Sequence, residues 1–595
     1  MSDKNENQDT DDGAQGAPRE VTRGALSGNK TPESWNVEDE AFWEKYGKKI
    51  ANRNLWISIP NLLCGFAVWL YWGMIIVRMQ ALHDAHPNLF AFTFGNHGVP
   101  LAGNAYKALL YTLPAVGGLS GATLRVPNSF MIAIAGGRNV KFMTSIMLIV
   151  PALGTGLALQ SPTTPFTAFI ALAALSGVGG GAFASSMSNI SFFFPKKVQG
   201  LSLGLNAGLG NLGVSVMQFL IPWVIAFKVM GPGYELKGTT VYLQNAGLVW
   251  VPILALLAIL AWFFMNNLPM HDCGPAPKAI GKFMWLELLG FAGTAAGIAL
   301  LLIPWGGFPE LLKIFVVLAI TILITLGLMR YLTMKDIRDP LVDQFAIFKN
   351  KHNWIMTWLY TMTFGSFIGY SAAFPKLIKD IFGYIRVDHA GAPLKLVVEA
   401  GQSLDYVTAS GATVHLANTT AKVMTFTEVA NPNAIDAFKF AFLGALVGAL
   451  IRPVGGWLSD KLGGARVTQW DTWVMVASTI GCGYVVAQAN VSPQPEKHFG
   501  LFLGLFLVLF TTTGIGNGST FRMIPIIFEK KLAGPVLGWT SAVAAYGAFL
   551  IPKIFATQIS AGTPQYALYG FAVYYASCLA VNWYYYARKG AEIEC

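Results

Sequence analysis

The stretch GGLSGATLRVPNSFMIAIAGGR, residues 117–138, returns 327 residues later as GALVGALIRPVGGWLSDKLGGAR, residues 444–466. Each copy is apolar and rich in small residues, carries one arginine, and closes on a glycine pair. The spacing sets Arg125 on Arg452 and Gly136-Gly137 on Gly463-Gly464. Further along, FPKKVQGLSLG (194–204) matches FEKKLAGPVLG (528–538) at an offset of 334, and Gly213 then falls on Gly547. The chain is a duplication. Arginine in a bilayer core costs roughly 2.5 kcal/mol or more, so two at matched positions of an apolar repeat point to a buried anion site between the halves.

The rest of the chain supplies the bilayer. Of 595 residues 54% are hydrophobic and 12% charged. An apolar run of about 18 residues or more is long enough to span hydrocarbon, and fourteen such runs stand between residues 55 and 587. The expected fold class is all-α: a polytopic membrane protein of two six-helix halves, 55–266 and 353–588, plus two extra transmembrane helices (283–305 and 310–332) in a linker spanning 267–352. Residues 1–54 and 589–595 read as tails. The first fifty residues are polar and expected to be largely disordered, with a helical lead-in at 36–49 along the membrane surface. No cleavable signal precedes the first apolar run. Residues 384–435 read as an external loop with some strand.

Lysine and arginine crowd one alternating set of loops, including Arg138, Lys141, Lys196, Lys197, Lys278, Lys282, Lys461, Arg466, Lys530 and Lys531. By the positive-inside rule both termini are cytoplasmic. The net charge of +10 reflects this asymmetry and gives no sign of nucleic acid. The five cysteines show neither metal spacing nor a disulfide framework, and no metal or cofactor is implied. Residues four apart share a helix face, so Gly200, Gly204 and Gly208 make a smooth strip. Gly534, Gly538 and Gly547 are its counterpart. Such a strip serves static packing or lets helices slide.

Four stretches resemble one family. RNLWIS (53–58), FASSMSNISFFFPK (183–196), GLNAGLGNLGVS (204–215) and TFGSFIGYSA (363–372) are similar to the nitrate/nitrite porter family of the major facilitator superfamily, a fold with two six-helix halves. The resemblance covers nearly the whole chain outside the N-terminal tail, the 283–332 helices and the 384–435 loop. It implies that Arg125 and Arg452 clamp an oxyanion from opposite halves. Asn211 and Tyr360 are then neutral hydrogen-bond donors, Phe183 and Phe364 sandwich a flat ion, and Phe66 and Phe521 close the cavity. Ser541, a further substrate-binding donor on this resemblance, falls in the second glycine-rich signature, with Gly538 and Gly547, as Gly204, Gly208 and Gly213 fall in the first. Ala544, Ala545 and Tyr546 depart from the family's smaller residues there. The family also implies nitrate and nitrite as partners, the cell inner membrane as location and a functional monomer.

The chemistry fits these roles. Nitrate is planar and delocalised, and guanidinium presents donors in a fixed planar fork. A proton-coupled carrier uses an acid or histidine in its path, whereas the middles of the twelve core spans hold no Asp or Glu and all eight histidines fall in loops or at span ends. Glu287 reads as lying near the edge of an extra helix, outside the core. Two facing guanidinium groups repel without an anion between them, which favours exchange of nitrate for nitrite. Nitrate/proton symport is the alternative. A membrane enzyme would need clustered nucleophile or acid motifs at one face, and the sequence has none; a sensor reusing the same site is the remaining reading.

Overall fold

The computed structural model describes residues 31–93, 100–270, 273–387, 404–407, 413–416, 424–425 and 427–595. Its apolar runs are helices, because in hydrocarbon a backbone must satisfy its own polar groups. Among the described residues eleven helical segments are long and apolar enough to cross a membrane. Three further runs read as spans are also helical but less apolar, at residues 103–128, 351–382 and 565–587. Two of them carry buried cations, Arg125 and Lys376, which explains the lower apolarity.

The repeat is visible in the backbone. Gly136 and Gly463, matched by the offset of 327, end corresponding helices at φ 77° and 89°, a conformation open to glycine. Helix crossings fall on glycines as well. Gly65 meets Gly179, Gly213 lies against the Leu63 carbonyl, and Gly547 lies against the Gly365 carbonyl. A methyl group at Gly179, Gly213 or Gly547 would overlap the neighbouring backbone. The halves touch each other equally closely, Gly118 against Ala548 and Gly73 against Ala372.

At the end of the bundle away from the termini, charge joins the halves. Lys379 Nζ lies 3.1 Å from Asp84 Oδ2, and Lys107 Nζ lies 2.7 Å from Glu428 Oε2. Tyr384 donates to Asp84 at 2.5 Å and accepts from Gln80. Beneath them Lys376 is bound by Asp380 at 2.6 Å, both nearly inaccessible. Glu428 belongs to a strand, Thr427–Ala430, paired antiparallel with Tyr384–Val387. The segment read as a loop thus supplies one partner of the closure. Leu404–Val407 pairs with Thr413–Leu416 and Met424–Thr425. Gly200, Gly204 and Gly208 have no neighbour within 4 Å of where a Cβ would stand. The close approach expected on this strip is absent here; the tight contacts sit further along the same helix, at Gly210 and Gly213.

One other expectation changes. The lead-in does not run separately along a surface. It starts at Glu40, capped by Asp39, and continues into the first span through a π turn, Trp43–Gly47. Trp35 Nε1 fastens it to the Phe192 carbonyl at 3.0 Å, and Phe42 and Phe193 flank the indole. The inserted pair, Ala276–Leu302 and Glu310–Leu332, is docked on the core. Gly293 and Gly297 receive Thr325 and Thr321 of its second helix, while Gly290 receives Leu124 and Pro127 of the Arg125 helix. The 1–30 segment of the expected tail lies outside the described residues.

Candidate functional site

Arg125 stands one turn before the end of helix Thr112–Asn128, and Arg452 opens helix Arg452–Leu462 just past a break at Ile451. Pro453 accounts for the restart, since proline is accommodated in a first turn but not in a helix interior. Both guanidinium groups meet one ring. The Arg125 Cζ lies 4.9 Å from the centre of Phe364 and the Arg452 Cζ 5.5 Å from it. Arg125 also lies 4.7 Å from Phe183, and Arg452 5.0 Å from Phe367. Phe364 belongs to a π turn, Thr361–Gly365, between helices Lys351–Tyr360 and Ser366–Phe382. The wider turn interrupts the regular ladder, a distortion often found at functional sites.

The five aromatic residues named by the resemblance form one row. Phe66 meets Phe183 at 5.9 Å, Phe183 stacks on Phe364 at 5.8 Å, Phe364 on Tyr360 at 5.7 Å, and Tyr360 meets Phe521 at 6.0 Å. A flat ion between two rings needs about 7 Å, twice a carbon contact distance. Phe183 and Phe364 therefore touch each other here, and a sandwich requires them to part.

The polar groups divide into used and unused donors. Arg125 Nε donates to the Gly180 carbonyl at 2.8 Å and Nη1 to the Ser541 carbonyl at 3.1 Å, a link across the halves. Arg125 Nη2 and Arg452 Nε and Nη2 are buried without a partner. Among the described residues neither arginine forms an ion pair. Tyr360 donates to Asn517 Oδ1 at 3.2 Å, leaving the Asn517 amide hydrogens unpartnered.

Two expected donors are occupied differently. Asn211 Nδ2 donates to the Ala207 carbonyl of its own helix at 2.7 Å, so its amide faces the backbone rather than an anion. The Ser541 hydroxyl turns to the Gly538 carbonyl at 3.0 Å, and Ser541 reaches the site through its backbone oxygen. In short polar side chains a local backbone acceptor competes with a distant ligand. Of the glycines, Gly213 and Gly547 lie at helix crossings and Gly204 and Gly208 face open space. A Cβ on Gly538 would lie 3.3 Å from the Ser129 hydroxyl.

Residues missed in the sequence are Asn517, Phe367, Trp69 and the Gly180 carbonyl. Asn517 had a signal, being the lone amide between glycines in GIGNGST (514–520). Phe367 follows Phe364 by one turn and shares its face. Trp69, 5.5 Å from the Arg125 Cζ, had none. The acids also need revision. Asp471 is buried in helix Gly464–Val491 beside Gly516 and Thr363, with Oδ2 unpartnered. Glu287 is buried against the Arg125 helix. Arg522 pairs with Asp460.

Two matched helical halves with unpaired cations between them define a membrane transporter of the major facilitator type. A solved structure agrees on the fold: the inward open conformation of the xylose transporter XylE from E. coli aligns with a TM-score of 0.51 at 11% identity, covering 90% of this chain and 95% of that one. No family model matches the chain. The probable nitrate/nitrite antiporter NarK2 of Thermus thermophilus is 33% identical over 574 residues, 94% of this chain and 97% of the relative. The nitrate/nitrite transporter NarU of Salmonella typhimurium is 32% identical over 582 residues, 93% and 96% of the two chains. The chain belongs to the nitrate/nitrite porter family.

Proposed function

We propose that this protein exchanges nitrate for nitrite across the cell inner membrane by alternating access, with the anion held between Arg125 and Arg452. The observation that carries the reading is the meeting of two guanidinium groups, one from each half, on the ring of Phe364 with buried N–H donors unpartnered. Buried charges without counterions are strongly unfavourable. A small oxyanion supplies the missing charge and accepts from both forks at once. Planarity favours nitrate or nitrite over tetrahedral anions, because guanidinium offers donors in one plane and the flanking rings present flat faces.

The same geometry favours exchange. With no anion the two cations repel across the site, so return of the empty carrier is slow and return of the loaded one fast. Tyr360 and Asn517 serve as neutral donors beside the forks. Phe66 and Phe521 end the aromatic row on either side and serve as gates. The glycine crossings let the halves rock. The positively charged loops support cytoplasmic termini, and one chain holds a complete site, as a functional monomer requires.

Nitrate/proton symport has one observation in its favour, the buried Asp471 beside the π turn that carries Phe364. Competition separates the substrates: detergent-solubilised protein should release labelled nitrate to unlabelled nitrate or nitrite and not to sulfate or phosphate. Equal displacement by sulfate would refute a planar-anion site.

A further inference from the structure

The inserted helix Ala276–Leu302 brings a carboxyl group to the helix that carries Arg125. Glu287 is 1% exposed, and its Oε1 accepts from Asn128 Nδ2 at 2.7 Å. Asn128 stands three residues beyond Arg125, and its second amide hydrogen goes to the Leu124 carbonyl at 2.9 Å. The amide is then spent, while Glu287 Oε2 and Asn128 Oδ1 remain buried without any donor. Three side-chain acceptors, Glu287 Oε1 and Oε2 and Asn128 Oδ1, thus share one N–H group. A protonated carboxyl is the side-chain form that both supplies a donor and removes the charge.

No cation takes the proton's place. The adjoining elements carry Arg125 on the core helix, Arg138 and Lys141 on Gly137–Ala158, Lys278 and Lys282 on Glu287's own helix, Glu310, Lys313 and Arg330 on Glu310–Leu332, and Lys335, Asp336, Arg338, Asp339 and Asp343 on Lys335–Gln344, whose Ile337 shares a buried cluster with Phe283 and Leu286. Helix Met131–Ala135 carries none. Arg125 is directed to Gly180 and Ser541, Arg138 to Asn139 and Trp262, Lys313 to the Ile303 carbonyl, and Arg330 over Tyr331. Among the described residues none pairs with Glu287. The contact is tight, since a Cβ on Gly290, one turn further on, would stand 2.7 Å from Leu124 Cδ2.

We propose that Glu287 and Asn128 form a proton-binding site through which the inserted helices make anion exchange pH-dependent. The step is uptake of one proton from water onto Glu287 Oε2. The neutral form keeps Ala276–Leu302 seated on the Arg125 helix. The ionised form draws water into the contact and unseats it, displacing Arg125 from the anion. The inference rests on the exchange reading for its functional arm, and its structural arm stands apart from it.

The experiment has both arms. Nitrate/nitrite counterflow is measured in proteoliposomes at equal internal and external pH, from mildly acid to alkaline. Wild-type exchange should fall on the alkaline side by about tenfold per pH unit, the slope of one proton. Glu287→Gln should exchange at the wild-type acid rate throughout. In infrared spectra at neutral pH, wild type should show the carbonyl band of a buried protonated carboxyl, absent from Glu287→Gln. Asn128→Leu should shift that band to higher frequency by removing its donor, a readout that does not depend on the glutamine variant folding. Matching pH profiles in wild type and Glu287→Gln, or a wild type lacking the band, would overturn the proposal. A wild type with the band but no exchange would overturn the exchange reading and leave the proton site standing.

Discussion

Replacing Arg452 with lysine keeps the charge and removes the planar fork. Among the described residues the Arg452 side chain makes no hydrogen bond. Its Nε and Nη2 are unpartnered, and its contacts are the rings of Phe364 and Phe367. The fold therefore has little to lose, and the thermal midpoint of Arg452→Lys should match wild type. Binding has more to lose. A bidentate anion takes two charge-assisted hydrogen bonds from the fork, each worth roughly 1.5–3 kcal/mol, and a lysine ammonium replaces one of them. The nitrate dissociation constant should rise about 10- to 150-fold. Arg125→Lys should differ, because Nε and Nη1 already hold Gly180 and Ser541. That variant should weaken binding and also lower the thermal midpoint. Titration calorimetry and thermal unfolding of the purified variants separate the two effects. Arg452→Lys binding nitrate within about twofold of wild type would refute the clamp.

Three other outcomes follow from the geometry. Tyr360→Phe removes the hydroxyl bound to Asn517 and should weaken nitrate by about fivefold, the worth of about 1 kcal/mol for a neutral hydrogen bond; calorimetry reads it. Gly208→Leu meets open space and should leave stability and binding intact while slowing counterflow, whereas Gly213→Leu overlaps the Leu63 backbone and should lower the yield of folded protein. At the closed end, burial alone would raise the Glu428 carboxyl, but Lys107, Arg386 and Lys379 outweigh it and hold it below the usual carboxylate range. A depressed value means the pair stabilises the closure at neutral pH and ceases to as pH falls through it. Glu428→Gln should then speed amide exchange in Tyr384–Val387 at neutral pH and make no difference in strong acid.

The helices and the duplication were legible because both are written in period and spacing. Apolar runs of spanning length have one stable backbone, and the offset of 327 paired Arg125 with Arg452 and Gly136 with Gly463. The aromatic row was reached only through motif resemblance, since composition does not separate Phe183 from the other phenylalanines. Side-chain direction was illegible. Asn211 spends its amide on its own helix, Ser541 presents a carbonyl, and Gly204 and Gly208 face open space. Glu287 was placed on its inserted helix, but its partner Asn128 was illegible, because sequence position gives depth along a helix and not which neighbour the helix docks on. Asp380 and Glu428, near the margins of a span and a loop, gave no sign that Lys376 and Lys107 would join them in closing one end.

The central claim is tested most directly by labelled nitrate uptake into proteoliposomes, comparing vesicles preloaded with nitrite against vesicles holding no permeant anion. Exchange predicts uptake only with nitrite or nitrate inside, and no uptake into anion-free vesicles whatever pH gradient is imposed. Robust uptake into anion-free vesicles that rises with external acid would contradict it and assign the protein to symport, with Asp471 the first residue to replace.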